Sequence, residues 1–87
     1  MYRVFYTKRA EKDLKKLDLY THKLITSWLQ KNIEGCDNPR IHGKALKANL
    51  KGFWRYRIGD YRIICDIQDD KLIVAAITIG HRRDVYL

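Results

Sequence analysis

Hydrophobic and polar side chains alternate in the segment 52–66, which reads GFWRYRIGDYRIICD. Aromatic or aliphatic residues occupy every second position on both sides of Gly59-Asp60, and arginines fall at three of the positions between them. Period-two alternation around a two-residue turn predicts a β-hairpin, and glycine at the first turn position suits a type II′ turn. This register places Arg57 directly opposite Arg62.

Two amphipathic helices are predicted between residues 7 and 34. Thr7 and Asp18 are suited to cap a helix N-terminus, and each precedes a run with apolar residues at helical spacing. The second helix is expected to span about Leu19 to Glu34, with Gly35 after its end. The apolar stripes consist of Ala10, Leu14 and Leu17 in the first helix and of Leu24, Ile25, Trp28, Leu29 and Ile33 in the second.

The remaining apolar segments predict strands. Tyr2–Tyr6 is a short β-prone run, and Lys71–Ile79 is β-branched and almost free of charge, which is typical of a strand inside a sheet. The segment 40–51 is interpreted as a basic connector. The order β-α-α-β-β-β predicts one small α+β domain over residues 1–87, with two N-terminal helices packed on one face of a mainly antiparallel sheet.

The sheet face away from the helices is expected to stay open, because no further helix is predicted to cover it. Side chains expected to point at the helices are Trp54, Tyr56, Ile58, Ile63, Cys65, Leu72, Val74 and Ala76. Those expected on the open face are Arg55, Arg57, Arg62, Ile64, Ala75 and Ile77. An exposed surface that is partly apolar and partly cationic suggests a partner or a substrate groove.

Positive charge is concentrated around the hairpin. The chain has 18 Lys and Arg against 10 Asp and Glu, a net charge of +8. Seven of these cations and a single acid, Asp60, lie between residues 40 and 62. A localised basic patch is typical of a nucleic-acid binder. Facing arginines repel each other, whereas an anion between them would be bound by both. The alternative to an anion-binding site is a solvated face, in which the arginine stems cover apolar parts of the sheet and the charged heads lie in water.

Several other classes of protein lack support in the sequence. No apolar run approaches the ~20 residues of a membrane span, and the N-terminus lacks the apolar core of a signal peptide, so a soluble cytoplasmic protein without membrane contact is expected. Cys36 and Cys65 form no CxxC motif, and Cys65 is expected to be a buried thiol. No cluster of carboxylates has metal-ligand spacing, so neither a metal nor a cofactor is expected.

The segment WRYRIGDYRIICDIQDDKLIVAAITIGHRRDVY resembles the C-terminal half of RelE-type toxins of the RelE/ParE superfamily. The shared features are a basic strand, a G-x-Y-R turn and strand, an acidic turn, a long apolar strand and a G-H/K-R…Y ending. The β-α-α front half and the R-x-x-G-K-x-L connector match as well. The resemblance implies a ribosome-dependent mRNA endonuclease that is neutralised by a cognate antitoxin, with the ribosome and mRNA as further partners.

Residue roles follow from the resemblance by position. The residues implied for catalysis are Arg62, His81, Arg82 and Tyr86. The residues implied for substrate binding are Arg55 and Arg57 in the basic strand, and Lys44, Lys47 and Arg83 are further candidates for this role. The tail is shorter between Arg82 and Tyr86 than in the archetype, so the assignment of Arg82 against Arg83 stays open.

Metal-independent cleavage would use the 2′-OH of the RNA as the nucleophile. A base must take the 2′ proton, an acid must protonate the 5′ oxygen, and cations must stabilise the phosphorane. Arginine suits only the last task, because it does not deprotonate in proteins; proton transfer would fall to His81 or Tyr86. Two alternatives stay open: a ParE-like toxin that inhibits DNA gyrase, and a non-catalytic RNA-binding module.

Overall fold

Two helices cover one face of a five-stranded sheet in the computed structural model, which describes residues 1–81. The helices are α1 (Lys8–Lys15) and α2 (Leu19–Asn32). The strands are β1 (Arg3–Tyr6), β2 (Lys44–Ala45), β3 (Trp54–Ile58), β4 (Tyr61–Gln68) and β5 (Ile73–His81). The α+β class and the helices on one sheet face are therefore as predicted, and β2 is an addition within the connector.

The sheet has the strand order β1-β5-β4-β3-β2. β1 runs parallel to β5, and the other neighbours are antiparallel, so the prediction of a mainly antiparallel sheet is confirmed. The hairpin of β3 and β4 has the predicted register, with Arg57 opposite Arg62. Gly59 has a φ of +59° at the first turn position, which is the left-handed conformation that this hairpin turn requires.

Both predicted helix caps are present. The Thr7 hydroxyl oxygen accepts a hydrogen bond from the Ala10 N–H at 3.1 Å, and an Asp18 carboxylate oxygen accepts one from the Thr21 N–H at 3.2 Å. Side-chain acceptors at this position satisfy amides that have no partner within the helix. The local sequence therefore determines where each helix begins.

The end of α2 differs from the prediction, because the helix stops at Asn32 and Glu34 binds the edge of the sheet. A Glu34 carboxylate oxygen accepts from the Val4 N–H at 2.9 Å, and the same side chain forms an ion pair with Arg3. These bonds hold the pKa of the Glu34 carboxyl below its usual value. An occupied edge is protected against pairing with another chain, so Glu34 helps to close β1.

The hydrophobic core lies between the helices and the sheet, with two corrections to the predicted set. Leu24 is 40% exposed, because it lies at the border of the α2 stripe, and Leu72 is 43% exposed in the turn before β5. Leu72 has a φ of +54°, and β5 begins at Ile73 rather than at Lys71. The fully buried core side chains include Ile25, Leu29, Ile33, Tyr56, Ile63, Cys65 and Val74.

An irregularity in β5 reverses which side chains face the helices. Ile64 pairs with Thr78, whereas its neighbour Cys65 pairs with Ala76, so Ile77 is an extra residue in β5. An extra residue of this kind is a β-bulge, and it shifts the alternation of the strand by one position. Before the bulge Ala76 faces the helices, and after it Ile79 faces them, with 3% exposure.

Thr7, the N-cap residue of α1, and Asp13 within that helix supply hydrogen bonds to β5 where its pairing with β1 ends. The Thr7 hydroxyl donates to the carbonyl oxygens of Ala76 and Ile77, both at 3.1 Å. The carboxylate of Asp13 accepts from the buried Ile79 N–H at 3.0 Å. Buried backbone groups without a partner are costly, so these side chains allow β5 to continue past the end of β1.

The open face is less apolar than expected. Ile64 is 4% exposed and Ala75 is 6% exposed, so the prediction that both are exposed is wrong, while Ile77 is half-buried. Both residues lie on inner strands with a neighbour on each side. Arg55 lies directly opposite Ile64, and its Nε is buried, so the arginine stem lies against the sheet and covers apolar surface.

We expect Asp13→Ala to lower the free energy of unfolding by about 1–3 kcal/mol, because it leaves the buried Ile79 N–H without an acceptor. Urea unfolding followed by circular dichroism measures this loss. Asp13→Asn keeps an oxygen acceptor and should recover part of it, and Asp70→Ala, in an exposed turn, serves as the control. An Asp13→Ala variant as stable as the Asp70 control would contradict this role.

Candidate nucleic-acid interface

Four cations from three neighbouring strands lie on the sheet face away from the helices. Lys44 of β2 is opposite Arg55 of β3, and Arg57 of β3 is opposite Arg62 of β4. Residues two apart on a strand share a face, as do residues paired across strands. These four side chains therefore form one surface, which we call the basic face.

The basic face costs the fold electrostatic energy. Side chains directly opposite each other in a sheet are close enough to interact, and like charges in this arrangement are destabilising. Within residues 1–81 the acids that form ion pairs are Glu34, Asp13 and Asp69, and none of them pairs with Lys44, Arg55 or Arg57. An anion bound here would offset repulsion that the described residues do not neutralise.

Arg55 carries a further signature of a binding position. Its Nε is buried and has no hydrogen-bond partner among the described residues. Arg57 uses its Nε in a long contact of 3.4 Å to the Gly59 carbonyl oxygen. Native proteins leave few buried donors unsatisfied, and such groups are often explained by function. Within residues 1–81, the Nε–H donors of the two β3 arginines are therefore left without a short hydrogen bond.

The position of Lys44 depends on a close approach between the connector and β3. Gly43 has a φ of +78°, and a Cβ at this residue would lie 2.1 Å from the Arg55 carbonyl oxygen. The Trp54 indole N–H donates to the His42 carbonyl oxygen at 2.6 Å. Only glycine permits this approach without displacement, so Gly43 and Trp54 fix β2 against β3.

Two more aromatic contacts hold the connector. The Tyr56 hydroxyl donates to the Pro39 carbonyl oxygen at 2.6 Å, and the Trp28 ring meets the His42 ring edge-on at a centroid distance of 5.4 Å. These contacts give His42 a structural role in holding the connector. The strand β2 lies within the segment that the sequence pattern indicated only as a basic connector, and the glycine before Lys44 is the local signal for it.

His81 lies at the end of β5 on the helix side of the sheet. It is opposite Tyr61, and the two rings meet edge-on at 5.6 Å. Both residues line a cavity of about 350 Å³ together with Arg9 and Asp13 of α1 and with Lys16, the C-cap residue of that helix. The resemblance implies a catalytic role for His81, but the bulge in β5 places its side chain on the other side of the sheet from Arg62.

The other predicted site residues have varied positions. Arg62 is opposite Gly80 of β5. Lys47 is exposed and precedes a short 3₁₀ turn, Ala48–Leu50. The predicted residues that lie outside the described part of the chain are Arg82, Arg83 and Tyr86.

The buried phenol and thiols of the core are not reactive groups. Burial raises the pKa of the Tyr56 hydroxyl and of the Cys65 thiol, so both stay protonated at neutral pH. Cys36 and Cys65 are free thiols, as expected for Cys65. Within residues 1–81 no three His, Cys, Asp or Glu side chains are grouped so that they could hold a metal ion, and no helix is long and apolar enough to cross a membrane.

A family model described as ParE toxin of type II toxin–antitoxin system, parDE, matches residues 4–86. The chain belongs to this family. The resemblance to toxins of the RelE/ParE superfamily is thereby confirmed, and it extends over nearly the whole chain. This toxin is 29% identical to the toxin RelG of Mycobacterium tuberculosis over 85 residues. The matched region covers 98% of this chain and 95% of RelG.

Solved structures of relatives have the same fold. The toxin–antitoxin complex RelBE2 from M. tuberculosis contains a chain with a TM-score of 0.85 and 29% identity, covering 95% of this toxin and 93% of that chain. The intact RelBE toxin–antitoxin complex of E. coli gives a TM-score of 0.70 at 18% identity, with 93% and 96% of the two chains covered. At that lower identity the likeness concerns the fold alone.

We expect Gly43→Ala to destabilise the toxin by at least about 1 kcal/mol, because alanine is strained at this φ and its Cβ would overlap the Arg55 carbonyl oxygen. Gly52→Ala is the matched control, since Gly52 also has a positive φ, +99°, but a Cβ there meets nothing within 4 Å. Thermal unfolding of both variants measures the difference. Equal losses would show that the close approach to β3 has no energetic importance.

Proposed function

We propose that this toxin is a ribosome-dependent mRNA endonuclease that cleaves without a metal. The observation that carries the proposal is the basic face, on which Lys44, Arg55, Arg57 and Arg62 come from three strands in two like-charged pairs. Like charges directly opposite each other in a sheet are destabilising, and a bound anion offsets this repulsion. A phosphodiester backbone would accept hydrogen bonds from several of these cations at once.

The reaction proposed is attack of the RNA 2′-OH on the adjacent phosphate. Negative charge develops on the phosphorane oxygens, and guanidinium groups that are already in place stabilise it without reorganising. Arg57 and Arg62 have this role in the proposal, together with Arg82 from the tail. Arg55 binds the RNA backbone, with Lys44, Lys47 and Arg83 as further contacts.

Proton transfer was assigned to His81 or Tyr86. The imidazole of His81 is on the helix side, next to Tyr61, and so it is separated from Arg57 and Arg62 by the sheet. Among the two, Tyr86, which lies outside the described residues, therefore remains in the proposal as the base. Cations near a phenol favour its phenolate form.

Inhibition of DNA gyrase is the second candidate. Two observations favour it: the family model is that of ParE toxins, and His81 is not beside the arginines. An anionic or acidic surface on gyrase would also be complementary to the basic face, and inhibition by binding needs no acid or base there. A non-catalytic RNA-binding module is the third possibility.

Two assays on the purified toxin separate these functions. Primer extension on mRNA bound to purified ribosomes detects cleavage, and a supercoiling assay detects inhibition of gyrase. The proposed function requires mRNA cleavage with gyrase unaffected. Inhibited supercoiling with intact mRNA would replace it with the second candidate, and RNA binding without either activity would leave the binding module.

We expect Arg62→Ala to abolish growth arrest and to reduce cleavage on ribosomes by about 10²-fold or more, because it removes a preorganised cation at the developing charge. Arg57→Ala should cause a similar but smaller loss. Lys31→Ala is the control, since it removes one exposed charge from α2, on the other side of the sheet. Full activity of Arg62→Ala would overturn the role of the basic face.

We also propose that a cognate antitoxin with acidic and apolar residues binds this toxin. The relatives from M. tuberculosis and E. coli were solved as toxin–antitoxin complexes. The basic face favours acidic side chains in the partner, and Phe5, which is 58% exposed on β1, offers an apolar contact.

We expect the association rate of toxin and antitoxin to fall about tenfold or more between low and high salt, because screening removes electrostatic steering. Stopped-flow binding with the product of the adjacent open reading frame measures this rate. Arg57→Glu should weaken the salt dependence, whereas Lys31→Glu should change it little. A rate that is insensitive to salt and to Arg57→Glu would contradict recognition through the basic face.

A further inference from the structure

Cleavage by the 2′-OH needs a proton donor at the 5′ oxygen, and the arginines of the basic face cannot supply it. Arginine stays protonated in proteins, so it stabilises charge but does not transfer a proton. His81 is on the helix side of the sheet. Within residues 1–81, the donor has to be found among the other titratable groups of the basic face.

Two titratable groups other than arginine lie on this face in β2, β3 and β4. Asp66 pairs with Ala75 and is four residues from Arg62 along β4, which corresponds to about 13 Å of strand; its carboxylate accepts from the Gln68 amide at 3.1 Å. Lys44 is directly opposite Arg55 and its side chain is exposed. Among the four cations of the basic face, Lys44 is thus the one that can give up a proton.

The fold fixes Lys44 in this place with specific contacts. β2 has only two residues, and the close approach at Gly43 together with the hydrogen bond from Trp54 to His42 holds them against β3. Lys44 is thereby paired with Arg55, although two facing cations destabilise the sheet. A lysine placed only for solubility would not need a fixed register beside an arginine.

We infer that Lys44 is the general acid of the cleavage reaction; this inference rests on the proposed function. The 2′ oxygen forms a bond to phosphorus, and its proton passes to the phenolate of Tyr86, the base in the proposed function, which later returns it to water. The bond from phosphorus to the 5′ oxygen breaks, and the Lys44 ammonium gives that oxygen a proton. The products are a 2′,3′-cyclic phosphate and a 5′-hydroxyl, and the neutral amine of Lys44 regains a proton from water.

Lysine suits the acid role better than the base role. A lysine ammonium carries transferable protons, one of which the leaving oxygen needs. Until the proton moves, its charge also adds to that of Arg55 and Arg57 beside the phosphate. Lys44→Arg keeps this charge and removes the transferable proton, which separates the two contributions.

The test compares Lys44→Arg with the parent on two mRNA substrates bound to ribosomes. The first substrate has the natural 5′ oxygen at the mapped cleavage position, and the second has sulfur in its place. A thiolate is a much better leaving group than an alkoxide, because thiols are far stronger acids, so the second substrate needs no proton donor. Lys31→Arg, on α2, is the control for the change from lysine to arginine.

We expect Lys44→Arg to cleave the oxygen substrate about 10²–10⁴-fold more slowly than the parent in single-turnover reactions. It should cleave the sulfur substrate at nearly the parent rate, with mRNA binding unchanged on both. Lys31→Arg should match the parent throughout. Circular dichroism and thermal unfolding establish that the variants are folded.

Two outcomes would overturn the assignment of Lys44 while leaving the proposed function intact. One is a Lys44→Arg variant that cleaves the oxygen substrate as fast as the parent. The other is an equal loss on both substrates, which would indicate a structural or purely electrostatic role. If the parent itself fails to cleave mRNA on ribosomes, the proposed function and this inference fail together.

Discussion

The hydrogen bonds from α1 to the second half of β5 determine the arrangement of this toxin. The pairing of β1 with β5 ends at Ala76. Beyond that point, buried backbone N–H and C=O groups of β5 need other hydrogen-bond partners, because leaving them unpaired is costly. Thr7 and Asp13 satisfy the carbonyls of Ala76 and Ile77 and the amide of Ile79. β5 also has its bulge in this stretch, at Ile77.

The bulge in turn places His81 and the arginines of the basic face on opposite sides of the sheet. His81 and Tyr61 lie with α1 on the helix side, and the basic face lies on the other side. A straight β5 would have reversed this arrangement and placed His81 next to the arginines. The proposal of Lys44 as the proton donor follows from that division, since the histidine is on the wrong side of the sheet.

Stability and function place opposite demands on β3. Its core side, through Trp54 and Tyr56, binds the connector by hydrogen bonds to His42 and Pro39, which fixes β2. Its other side carries Arg55 and Arg57, which repel their neighbours in the sheet. The core side thus stabilises the geometry that brings like charges together, and a bound anion would offset the repulsion between Lys44 and Arg55.

The sequence by itself determined the local features of this protein: the two helix caps, the hairpin with Arg57 opposite Arg62, the α+β class and the superfamily. Each of these depends on residues a few positions apart, so its pattern is visible in the chain. Only the tertiary structure decided the strand β2, the burial of Ile64 and the side of the sheet that His81 occupies. These depend on contacts between distant segments, such as the bond from the Ile79 N–H to Asp13, 66 residues away, which no local periodicity encodes.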